Sequence, residues 1–268
     1  MSASTSIALR RGYLDPARRL IIARAIAGSL AGLVPFPFLD DWAKGAVLGG
    51  GYRRIAATHG VDLDDHAVRS LVHGRTPPPS LTELAAGGIG YRIAGMAAKR
   101  VMLVVATVNR ARAAARTFVT LTLFDHYCAK LHTGGPLDGT TALALREEIA
   151  RAIDQTPGAL SFHPFRKGAL AAARATIKAP FELADLATGG LVRRLLAKRA
   201  GGDHVSEPEA VDQVEQSLTN ALADNSGFLA RTVAAVEQQL SGDANPYLDG
   251  ALDALDRRWK ARVAAGLE

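Results

Sequence analysis

A chain of 268 residues can bury a sizeable core without staples, and its one cysteine, Cys128, excludes an internal disulfide. It is 48% hydrophobic but only 6% aromatic, so alanine, leucine, valine and isoleucine must do the packing, a bias that predicts an all-α fold of closely approaching helices. The net charge of +6 hides a split, +13 over residues 1–200 against −7 over 201–268, which points to an anionic partner for the front or to attraction between the two parts.

In chain order, the small polar start lacks a signal-peptide pattern, so residues 2–12 read as a frayed leader and the reading is cytoplasmic. Asp15-Pro16 starts a first helix, with Asp15 as N-cap and Pro16 at the first helical position. Leu20, Ile21, Ala25, Ala27, Leu30 and Val34 give it a broad apolar face, and Gly28 and Gly32 leave a groove read as internal packing before self-association. Pro35 and Pro37 end it. Asp40 and Asp41 cap a second helix that stops at Gly60, and Asp62 to Asp65 cap a third that ends at Gly74. Beyond the stiff Pro77-Pro78-Pro79 loop, Ser80 and Glu83 form a capping box and Gly87-Gly88-Ile89-Gly90 a hinge or turn.

A long helix is expected from Tyr91 to about His132, closed by Gly134-Gly135-Pro136. Shorter ones follow over 141–156, 167–178, 181–199, from Ser206, over 227–240 and over 246–265. The composition divides the chain at 1–134, a basic 135–202 and an acidic 203–268, with a single compact domain as the alternative. Neither apolar run makes a transmembrane span: Gly28, Gly32, Pro35 and Pro37 break the first, and Arg110, Arg112 and Arg116 interrupt the second.

The order Pro35-x-Pro37-x-x-Asp40, then Arg53-Arg54-Ile55-Ala56, then Gly60-x-x-Leu63 resembles the uncharacterised helical domain of bacterial membrane-associated GTPase-like proteins, over about residues 20–132. The resemblance implies an Ala-rich multi-helix bundle with a Pro-x-Pro-x-x-Asp turn between its first two helices, associated with membrane surfaces or partner helices. The chain departs from that family in carrying no Gly-x-x-x-x-Gly-Lys-Ser/Thr loop. Lys99, Arg100, Arg110, Arg112 and Arg116 in the hairpin region argue for surface attachment over insertion.

Among side chains that could carry chemistry, His59, His66 and His73 recur every seven residues, but His66 and His73 on one helix would lie two turns apart, about 10 Å, too far for one ion. No paired-cysteine or His-Glu-x-x-His motif is present, so no metal and no cofactor are expected. Asp125, His126, Cys128 and His132 cluster in sequence, yet helical neighbours one or two apart do not face each other, and Cys128 reads as a small buried hydrophobe. The stronger lead is basic: Arg10, Arg11, Arg18, Arg19 and Arg24 at the first helix, and Arg166, Lys167, Arg174 and Lys178 at a later one. A basic amphipathic helix lies in the plane of an anionic leaflet.

The expectation is therefore a non-enzymatic helical module, peripheral at the inner face of a membrane, that binds an anionic lipid surface or a helical protein partner. Two other readings remain. A nucleic-acid binder suits the charge, although stacking aromatics are not interleaved with it. An enzyme of unrecognised type would draw on Asp40, Asp41, His126 and Cys128 and would need a buried pocket converging on them.

Overall fold

The structure, a computed structural model, describes residues 12–31, 39–76, 99–160, 163–165, 207–224, 227–242 and 246–266. Helix α1 (Asp15–Ala31) begins where Asp-Pro sets its start, directly after a 3₁₀ turn (Gly12–Leu14), and residues 2–11 of the expected leader lie outside the described residues. Ile21, Ile22, Ala23, Ala25, Ile26 and Ala27 are all at most 4% exposed, so the middle of this helix is surrounded by protein rather than half-covered. Pro35 and Pro37, and with them the expected turn, lie outside the described residues.

Asp40 and Asp41 lie within the first turn of α2 (Leu39–Thr58), which stops ahead of Gly60 at φ 66°. In α3 (Asp65–His73) the Asp64 carboxylate accepts the Ala67 N–H at 2.6 Å, and Gly74 closes the helix at φ 66°. These ends fall where the sequence places them because a cap is satisfied within three or four residues of chain. The Ser80–Glu83 box and the Gly87–Gly90 turn lie outside the described residues.

Helix α4 (Lys99–His126) runs straight into a π-helical turn, Tyr127–Leu131, closed by the His132 N–H on the Tyr127 carbonyl at 2.9 Å. The β-prone stretch 118–124 is helical because Phe118, Val119, Leu121, Leu123 and Phe124 are all buried, and packing outweighs local propensity. After Gly134 and Gly135, both at positive φ, Leu137 returns to the loop before α3 and donates its N–H to the Asp62 carbonyl at 2.9 Å. Asp138 then caps α5 (Gly139–Asp154), accepting the Thr141 N–H at 2.7 Å. The helices expected over 167–178 and 181–199 lie outside the described residues. The chain finishes with α6 (Glu207–Ala223), α7 (Phe228–Gly242) and α8 (Pro246–Ala264).

Every described element is helical, giving an all-α multi-helix bundle. Helix α1 packs on α2, α4 and α7, while α5 bridges α3 and α8. One apolar core runs from Leu14 to Trp259 and crosses both expected sub-domain boundaries. Edge-to-face pairs anchor it, Tyr52 on Phe124 at 4.8 Å and Tyr127 on Trp259 at 4.9 Å. The acidic C-terminal helices therefore fold onto the basic front. No helix among the described residues is long and apolar enough to cross a membrane.

Candidate functional site

Of the basic positions singled out above, Arg10, Arg11, Arg166, Lys167, Arg174 and Lys178 lie outside the described residues. Arg18 is paired with Asp15 one turn away at 2.6 Å, and Arg19 is exposed. Arg24 requires a correction. Expected on a basic surface, it is 1% exposed, held inside the bundle rather than offered to a ligand.

Arg24 donates through Nη2 to both carboxylate oxygens of Glu215 on α6, at 2.6 and 2.7 Å, and through Nη1 to the Val47 carbonyl at 2.8 Å. Room for it comes from α2, where Gly49, Gly50 and Gly51 are consecutive. A Cβ on Gly50 would fall 1.7 Å from Glu215 Oε1, and one on Gly51 3.0 Å from Arg24 Cδ. Burial pulls the guanidinium pKa down, and the Glu215 charge and hydrogen bonds oppose it. The sequence carries a signal of this burial: Arg24 is the lone charge between Leu20 and Leu39, and three glycines in a row mark a helix surface left open for a neighbour.

Asp125 and His126 are adjacent but point to different partners, as helical neighbours must. Asp125 is fully buried on His59, whose Nε2 lies 2.6 Å from Oδ1, while Oδ2 has no hydrogen-bond partner among the described residues. Burial raises the Asp125 pKa, opposed by the hydrogen bond and charge of His59 and then by the charge of His126. His126 is joined through Nδ1 to the Tyr13 hydroxyl and through Nε2 to Asp256 Oδ1 at 2.8 Å. One imidazole thus ties the 3₁₀ turn, α4 and α8 together immediately before the π-helical turn, an irregularity that often accompanies function.

Cys128 is buried, and burial followed by the Asp125 charge drives its thiol pKa far up, so it forms no thiolate nucleophile. Asp40 and Asp41 stand in the first turn of α2, and their side chains lie outside what the structure describes. The periodic histidines separate as well. His59 holds Asp125, the His66 ring fills the space a Cβ on Gly139 would need, and the His73 ring lies against Gly45. Among the described residues no three potential ligands are grouped for a metal.

A third buried charge, Glu148 on α5, accepts from Arg151 at 2.7 Å and from Arg258 on α8 at 2.6 Å. Outward, the front helices present Arg53, Arg54, Arg69, Arg112 and Arg116, all exposed. Arg53 is paired with Asp65 at 2.7 Å, and Arg116 reaches Asp154 only at 4.0 Å. Arg54, Arg69 and Arg112 have no ion-pair partner among the described residues. Compared with known protein families, curated proteins and solved structures, the chain matches none.

Proposed function

We propose that the protein is a non-catalytic helical module that settles on an anionic membrane surface through the arginines of its front helices. The observation that carries this reading is the outward set Arg54, Arg69 and Arg112, contributed by α2, α3 and α4. Two acids of the tail are turned inward, Glu215 onto Arg24 and Asp256 onto His126. Each cation near an anionic leaflet contributes about 1 kcal/mol of attraction, so the three together supply about 3 kcal/mol, a weak, reversible attachment.

Flotation with liposomes tests the proposal. Binding is expected to vesicles containing anionic lipid, to fall with rising salt, and to be lost in Arg54→Glu/Arg69→Glu/Arg112→Glu. Equal, salt-resistant binding to neutral vesicles would overturn the electrostatic reading. Binding to neither would overturn the membrane reading in favour of a protein partner.

A further inference from the structure

Tyr13, His126 and Asp256 form a chain of hydrogen bonds beside a cavity of about 340 Å³, within the range of small-molecule sites, and all three line it. The Asp256 carboxylate can only accept, so the proton between it and His126 sits on Nε2, 2.8 Å from Oδ1. In the neutral ring Nδ1 is then the acceptor, and the Tyr13 hydroxyl donates to it. The order runs hydroxyl, imidazole, carboxylate: a nucleophile, its base, and the group that fixes the base's tautomer and supports the cation it becomes.

The three come from the 3₁₀ turn, the last residue of α4 and the middle of α8, so only the folded chain assembles them. His126 is buried, which fixes its ring, while Tyr13 is half-buried. Lys130 Nζ lies 4.9 Å from the Tyr13 ring centre and favours negative charge building on that ring. Lys260 lines the cavity from α8. So do Asp249, which has a partner of its own, and Asp253. Counting Asp256, three carboxylates stand with two ammonium groups, and an uncharged acyl carbon meets less repulsion there than a phosphoryl dianion.

We infer that Tyr13 is a covalent acceptor, taking one acyl group from an activated ester in this cavity, with His126 as its base and Asp256 as the positioning residue. As the Tyr13 oxygen bonds to the acyl carbon, its proton passes to His126 Nδ1. The bond from that carbon to the leaving oxygen then breaks, and the leaving oxygen takes the proton from Nδ1. The products are an acyl ester of Tyr13, a released alcohol and a neutral His126. One acyl group per chain is a modification of the helical module rather than turnover.

Treating the full chain with 4-nitrophenyl acetate at pH 7 and locating the acetyl groups by peptide mass spectrometry tests this. Acetylation of Tyr13 is expected to be at least about tenfold faster in the folded chain than in the urea-unfolded chain, a modest part of the roughly 100-fold or more that a positioned base supplies. In Asp256→Asn the Tyr13 rate is expected to fall about tenfold or more with an unchanged circular dichroism spectrum. Long-range proton–nitrogen spectra of that variant should show the neutral His126 proton moved from Nε2 to Nδ1, which a merely structural contact would not link to the rate. Acetylation of Tyr13 no faster in the folded chain than in the unfolded one would overturn the inference, and that comparison needs no variant. A folded Asp256→Asn that acetylates Tyr13 at the parent's rate would overturn it as well.

Discussion

Gly50 and Glu215 are neighbours across the bundle, so close that a methyl group on the glycine would fall 1.7 Å from the glutamate Oε1. The missing side chain on α2 is what allows α6 to bring a carboxylate to the buried Arg24. Glu215→Ala is expected to cost about 2–3 kcal/mol, at or below the lower end for breaking a buried pair, because the glutamate is about a third exposed and water can follow it. Arg24→Met/Glu215→Leu, which removes both charges and roughly keeps the volume, is expected to stay within about 1 kcal/mol of the parent. Gly50→Ala gains about 1 kcal/mol of helix propensity but displaces the carboxylate, so it is expected to destabilise on balance. The Gly50→Ala/Glu215→Ala double variant should lose clearly less than the two single losses added, because both act on one contact. Urea midpoints of the four variants check all of this.

The His59–Asp125 pair predicts a pH dependence. Asp125 is raised in the folded state, so the folded protein holds that proton more tightly than the unfolded chain. Its contribution is most favourable below the unfolded aspartate value of about 3.9 and declines as pH rises through the folded pKa. His59→Ala removes the group that opposes the rise. It is expected to cost about 2–4 kcal/mol at neutral pH and less as the pH falls and Asp125 takes up its proton. Asp125→Asn is expected to remove that pH dependence. Urea unfolding of the three proteins between pH 5 and 8 measures it, and a pH-independent His59→Ala cost would rule the account out.

Cys128 is expected to be inert. Buried and with its thiol pKa raised, it should react with a thiol reagent at least about 100-fold more slowly than a free thiol until the protein unfolds. The labelling rate should rise in Glu215→Ala as global opening becomes more frequent. Fast labelling of the folded parent would show that the end of α4 opens locally.

At the start of α5 the Asp138 carboxylate accepts the Thr141 N–H, and its pKa is lowered by that bond. Asp138→Ala is expected to cost about 1 kcal/mol, the ordinary price of losing a cap. Because the cap needs the ionised form, its contribution should fade as pH drops through the lowered folded value, which thermal unfolding at pH 7 and pH 3 can detect.

What could be read from the sequence follows the range of the interactions. Helix ends at Gly60 and Gly74 and the start at Asp15 were legible because their causes sit within a few residues. The helical fold class followed from composition and period. Arg24 was misplaced because an arginine's burial is decided by its partner, here on another helix far along the chain. The Tyr13–His126–Asp256 link was hidden for the same reason, and the cavity beside it arises only once α4 and α8 are side by side. The π-helical turn at Tyr127–Leu131 carries no sequence mark that separates it from ordinary helix.

The Arg24–Glu215 bridge joins residues 191 positions apart. On a ribosome adding about 5–20 residues per second, roughly 10–40 s pass between the emergence of the arginine and the synthesis of its carboxylate. During that interval the middle of the nascent first helix, Ile21 to Ala27, displays an apolar circumference with a lone cation still without its carboxylate. Incomplete chains ending before α6 should accordingly be strong clients of holding chaperones, and slowing translation just upstream of Glu207 should lower the yield of native protein more than an equal delay after Ala223.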